Sequence, residues 1–106
     1  MSNKKITYNK YLQLDKILNA QSPLSNILEK PIHDETLFII IHQIYELWFK
    51  QIIHEIDSII DYFSNPSIKE TNINTIVNRL ERINNIQKIA ISQIDILESM
   101  TPMDFL

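Results

Sequence analysis

The sequence predicts an all-α fold: a short N-terminal helix followed by two long antiparallel helices. Three observations carry that expectation. Glycine is absent, where an average chain of this size would hold roughly seven. Hairpin turns need backbone with positive φ, so β-hairpins are disfavoured. Apolar residues recur at steps of three and four along most of the chain, the spacing of a helix face. Polar, proline-bearing breaks occur at Ser22-Pro23 and in SNPSIKET, and they divide that pattern into three segments.

The first helix is expected from about Tyr8 to Gln21, with Thr7 as its N-cap. Tyr8, Tyr11, Leu12, Asp15 and Leu18 share one face. Ser22-Pro23 ends it, and the connection Leu24–Pro31 has room for a short helical turn. The second helix is expected from about Asp34 to Phe63. Asp34 and Glu35 place negative charge at its positive end. Its first half is apolar nearly all round, the mark of a buried helix, so Trp48 and Phe49 are expected in the core. In its second half Ile52, Ile53, Ile56, Ile59, Ile60 and Phe63 oppose Glu55, Asp57, Ser58 and Asp61, which read as a solvated face. The third helix is expected from about Ile73 to Met100. Ile76, Leu80, Ile83, Gln87, Ala90, Ile94 and Leu97 alternate steps of four and three, a heptad-like seam.

These lengths conflict with a closed globule. The 106 residues make one helical segment, 1–106, and a compact domain of that size has a radius of gyration of about 13 Å. Thirty helical residues span about 45 Å. Two such helices form a long hairpin with uncovered apolar sides. The chain is therefore expected to need more protein, from partner copies or from a continuation.

Composition narrows the chemistry. The formal net charge of −3 argues against nucleic acid. Without cysteine there is no disulfide framework and no thiolate metal site. Without glycine there is no P-loop and no dinucleotide fingerprint. MSNKKITYNKY carries basic residues with no apolar run behind them, so it does not read as a signal peptide. The longest apolar stretch is interrupted by His42, Gln43, Glu46 and Lys50, too often for a membrane span. A cytoplasmic location is expected.

The histidines are His33, His42 and His54. His54-Glu55 lacks the second histidine of a zinc-protease helix, and no Glu-x-x-His pair of a di-iron bundle is present. His42 and Glu46 lie one turn apart, a spacing open to a metal or, more simply, to an i, i+4 hydrogen bond. Phe38 and His42 are also one turn apart and project from one face. A flat apolar ring beside a hydrogen-bonding nitrogen suits a planar aromatic ligand with one N–H or O–H. The plain alternative is a core histidine bonded to a carbonyl or to Glu46. Tyr8, Tyr11 and Leu12 form an aromatic edge, open to recognition or to simple packing.

Three stretches, TYNKYLQLDKILNAQSPLS, HDETLFIIIHQIYELWFKQIIHEIDS and RLERINNIQKIAISQIDILESMTPMDFL, resemble in that order the N-terminal part of the tryptophan 2,3-dioxygenase family. These are the haem enzymes of tryptophan breakdown, and the likeness covers nearly the whole chain from Thr7 on. The resemblance implies that Phe38 packs on the substrate indole and that His42 accepts a hydrogen bond from its N–H. Phe38, Ile39, Ile40, Ile41 and His42 would form a pocket wall. Tyr8, Tyr11 and Leu12 would reach a neighbouring subunit's pocket in a homotetramer. The family reaction inserts both atoms of O2 across the C2–C3 bond of the L-tryptophan indole, giving N-formyl-kynurenine. The iron-ligating histidine and the carboxylate-binding arginine of the family lie beyond the matched segment. Arg79 and Arg82 do not match that arginine, and no metal ligand is expected among these residues. The chain alone is expected to be inactive. The competing expectations are a non-catalytic helical assembly or haem-handling module derived from the family, and an unrelated helical bundle.

Overall fold

In a computed structural model, residues 6–28, 30–65 and 69–100 are described. They form α1 (Tyr8–Tyr11), α2 (Leu14–Ile17), a 3-10 turn (Leu24–Ile27), α3 (Glu35–Ser64), α4 (Glu70–Ser92) and α5 (Ile94–Glu98). No strand occurs among the described residues. The fold is all-α, as expected, with α3 running antiparallel to α4 and α5. The hairpin is long and thin: the radius of gyration is 19.6 Å and the extents are 63 × 42 × 18 Å. Among the described residues no helix is long and apolar enough to cross a membrane.

The N-terminal helix departs from expectation. Thr7 caps it as foreseen, its hydroxyl accepting the Lys10 N–H at 3.3 Å. Gln13, however, adopts φ 54°, ψ 44°, and splits the segment into α1 and α2. Helices this short persist in water only when packed. This arm packs little: Tyr8, Tyr11, Ile17 and Leu18 are all exposed.

The hairpin seam also turns out differently. On α3 the buried and half-buried line is Ile41, Tyr45, Trp48, Ile52, Glu55, Ile59 and Tyr62. On α4 and α5 it is Asn72, Ile76, Arg79, Ile83, Ile86, Ala90, Gln93, Leu97 and Met100. Both lines step by four and three, the rhythm of a helix packed along a helix. The expected positions Ile76, Ile83, Ala90 and Leu97 hold. The intervening ones are Arg79, Ile86 and Gln93, while Leu80, Gln87 and Ile94 face outward. The turn at Gln93 keeps right-handed geometry, φ −69°, ψ −15°, so the line continues into α5.

The same rotation affects α3. Ile59, Ile76 and Ile83 form the core cluster, with Ile52 and Tyr62 against it. Glu55, expected on a solvated face, is buried at 3% exposure. Its carboxylate accepts from Arg82 Nη1 at 2.9 Å and from Gln51 Nε2 at 2.7 Å, with Arg79 Nε at 4.0 Å. Arg79 in turn lies over the Tyr62 ring, 5.5 Å from its centroid. A buried carboxylate is tolerable only with such partners.

Ile53, Ile56, Ile60 and Phe63, expected inside, are exposed instead. Each follows a seam residue of α3 by one position, as Ile73, Val77 and Leu80 do on α4. In an antiparallel pair those positions lie on the same side, so one long side of the hairpin is apolar. Phe49 is exposed as well, and Trp48 is only half-buried, so neither belongs to a closed core.

Candidate functional site

Between the arm and the first half of α3 lies an open, mostly apolar groove of about 730 Å³. That is the size class of small-molecule sites. Phe38, Ile39, His42, Gln43 and Leu47 line it from α3, and Ile17 and Ala20 from the arm. Glu46 and Lys50 also border it, both exposed.

Two residues set its polarity. The ring centroids of Phe38 and His42 are 4.4 Å apart, tilted by 39°. His42 Nδ1 lies 2.6 Å from the Phe38 carbonyl oxygen. A carbonyl only accepts, so Nδ1 carries the proton and donates. In the neutral ring Nε2 is then the acceptor. Of the plain alternative, a core histidine bonded to a carbonyl or to Glu46, the carbonyl bond forms, to Phe38, but the ring is exposed and not in a core. Nor does His42 join a metal cluster, since no group of three His, Asp or Glu side chains among the described residues is placed to hold an ion. Beyond His42 the aromatic row continues. Tyr45 meets His42 edge-on at 6.4 Å and stacks on Phe49 at 6.2 Å.

Of the five consecutive residues singled out in the sequence, Phe38, Ile39 and His42 line the groove. Ile40 does not, and Ile41 turns into the hairpin seam at 2% exposure. Helical spacing requires this, because adjacent residues are about 100° apart around the axis. Tyr8, Tyr11 and Leu12 lie outside the groove of their own chain, and all three are exposed. The arm wall, Ile17 and Ala20, was missed by sequence reasoning. The available signal was a glutamine on each side: Gln43 Nε2 donates to the Ala20 carbonyl at 3.0 Å, and Gln21 Nε2 donates to Gln43 Oε1 at 2.9 Å.

A second fastening sits at the start of α3. Glu35 accepts the N–H groups of Leu24 and Ser25 at 2.9 and 2.8 Å, and so caps the 3-10 turn. Ser25 Oγ accepts the Ile32 N–H at 3.0 Å, closing the connection on itself. Hydrogen bonds from the Ser25 side chain, then from its backbone and that of Leu24, hold the Glu35 carboxyl below its ordinary value. The charge expected at the positive end of the α3 dipole is also used across the loop.

The family model described as tryptophan 2,3-dioxygenase matches residues 1–106. The chain belongs to the tryptophan 2,3-dioxygenase family. It is 52% identical over 101 residues to the tryptophan 2,3-dioxygenase of Bdellovibrio bacteriovorus, covering 95% of this chain and 28% of that protein. It is 56% identical over 99 residues to that of Anopheles gambiae, covering 93% and 25%. Against the tryptophan 2,3-dioxygenase of Dictyostelium discoideum the identity is 54% over 105 residues, covering 99% and 26%. The chain thus spans about a quarter of the length of these tryptophan 2,3-dioxygenases.

Proposed function

We propose that this chain forms one wall of the substrate pocket of a tryptophan 2,3-dioxygenase, where L-tryptophan and O2 react to give N-formyl-kynurenine. The observation that carries the proposal is the His42 bond to the Phe38 carbonyl. It makes Nε2 the acceptor beside the Phe38 ring at an apolar groove. An indole laid against Phe38 would present its N–H to that nitrogen. Ring contact then supplies affinity, and the hydrogen bond selects the orientation.

Haem is the cofactor that the family implies, and when bound it supplies the oxygen chemistry. The described residues do not by themselves make a seat for it. The resemblance assigns the free Nε2 of His42 to the indole, and the Phe38 ring 4.4 Å away offers that planar ring a surface to pack on. Arg79 and Arg82 are engaged with Glu55 in the hairpin, and neither lines the groove. On this reading the chain alone has no turnover. Tyr8, Tyr11 and Leu12, exposed and outside their own groove, serve a neighbouring subunit's pocket in a homo-oligomer, a tetramer by the family resemblance. A cytoplasmic location belongs to the same reading. A second reading, a non-catalytic helical assembly module, draws support from the exposed stripe of Ile53, Ile56, Ile60 and Phe63.

Indole and benzofuran titrations separate the two. The rings have the same shape, but benzofuran lacks the N–H. Followed by NMR on histidine-labelled chain, indole should shift the His42 signals and bind about fivefold tighter, the worth of one net hydrogen bond in an open site. Equal binding of the two rings, or none of either, would overturn the pocket reading.

A further inference from the structure

The arm wall of the groove stands on unusually little apolar packing. Ile17 is 45% exposed and Leu18 is 68% exposed. Burial alone therefore does not account for where Ile17 and Ala20 sit. Ahead of the 3-10 turn that Glu35 fastens, two hydrogen bonds join residues 6–21 to α3 through one side chain. Gln43 Oε1 accepts from Gln21 Nε2 at 2.9 Å, and Gln43 Nε2 donates to the Ala20 carbonyl at 3.0 Å. Gln21 Nε2 also donates to the Ile17 carbonyl at 2.9 Å. The carbonyls at the end of a helix lack partners within it. Here glutamine amides reach the carbonyls of Ile17, the last residue of α2, and of Ala20, and the bond to Ala20 ties the arm to the long helix.

We propose that Gln43 is a positioning residue: its amide clamps the end of the arm onto α3 and so fixes the second wall of the groove opposite Phe38 and His42. The orientation of the amide is dictated by its partners. Reversing it would set Oε1 against the Ala20 carbonyl oxygen, two acceptors facing each other. Because Gln43 directly follows His42, the imidazole and the tie to the wall stand on adjacent residues of one helix. The clamp stands on this geometry alone, while its importance for ligand binding rests on the pocket reading above.

Limited trypsin digestion of the full chain tests it. Lys16 lies in the arm, and Lys50 lies in α3 as an internal reference. Gln43→Met keeps the length of the side chain and removes both bonds. Gln21→Met leaves the bond from Gln43 to Ala20. Cleavage after Lys16 tracks the population of open arm when reclosing is fast. It should rise about tenfold in Gln43→Met and about threefold in Gln21→Met, as expected for losing two or fewer net hydrogen bonds. Cleavage after Lys50 and the helical circular dichroism should stay at their parent values. Parent-rate cleavage after Lys16 in Gln43→Met would overturn the proposal, and so would an equal rise at Lys50, which would mean general unfolding. Indole affinity should fall in Gln43→Met while the His42 signals still respond. Failure of indole to bind the parent chain would strike the pocket reading, and the digestion would still decide the role of Gln43.

Discussion

Replacing Arg82 by alanine should cost this chain more than the exposure of that side chain implies. The Arg82 side chain is 59% exposed, and surface substitutions usually stay within about 0.5 kcal/mol. Its guanidinium, however, is the closest charged partner of Glu55, whose side chain is 4% exposed. In Arg82→Ala the carboxylate keeps Gln51 at 2.7 Å and Arg79 at 4.0 Å, too little to balance a charge withdrawn from water. Breaking a deeply buried pair costs about 3–5 kcal/mol. The hairpin is only 18 Å across its shortest extent, so water reaches Glu55 more readily than in a thick core. A loss of about 1.5–3 kcal/mol, the range for a hydrogen bond to a charged group, is expected. Glu55→Met removes the buried charge and leaves two arginines that can turn to solvent, so it should cost less than Arg82→Ala or even stabilise. Adding Arg82→Ala to Glu55→Met should then cost little. Urea unfolding followed by circular dichroism at neutral pH measures all four proteins. If Arg82→Ala stays within about 0.5 kcal/mol of the parent, or Glu55→Met is the worse of the two, the reasoning fails.

The acid sensitivity of the hairpin follows from the same cluster. The Arg82 hydrogen bond leads, with Gln51 and the charges of Arg82 and Arg79 adding to it, in holding the Glu55 carboxyl below its ordinary value of 4.5 against the opposing effect of burial. A depressed folded-state value means stability that is present above the unfolded value and lost as pH falls through the folded one. The urea midpoint should therefore drop on acidification below the ordinary carboxylate range, and less steeply in Glu55→Met. At Gln13, φ 54° is left-handed backbone that a β-branched residue tolerates poorly. Gln13→Gly should leave arm protection in hydrogen exchange unchanged or raised, whereas Gln13→Val should lower it; the reverse order would show that the bend is not maintained in solution. In a complete family enzyme carrying this segment, His42→Ala should lower tryptophan turnover while haem content, read from the absorption spectrum, stays intact. Loss of haem would contradict the assignment of His42 to the indole.

Much of this arrangement was determined by local chemistry. The limits of α3, from Glu35 to Ser64, fall within a residue of those read from the apolar pattern, because these thirty residues hold no glycine or proline to break a helix. The seven-residue repeat at Ile76, Ile83, Ala90 and Leu97 and the one-turn pairing of Phe38 with His42 follow from helix geometry alone. Tertiary structure decided the rest. Periodicity specifies spacing along a helix but not rotation about its axis when two apolar stripes lie side by side. On α3 the stripe of Ile52 and Ile59 competes with that of Ile53, Ile56, Ile60 and Phe63. The first turns inward together with Glu55, whose partner Arg82 is 27 residues away in sequence. The break at Gln13 and the arm wall of Ile17 and Ala20 were hidden for a second physical reason. They depend on which long-range partners the arm finds, Gln43 above all, and short helices have too little stability of their own to settle their course without them.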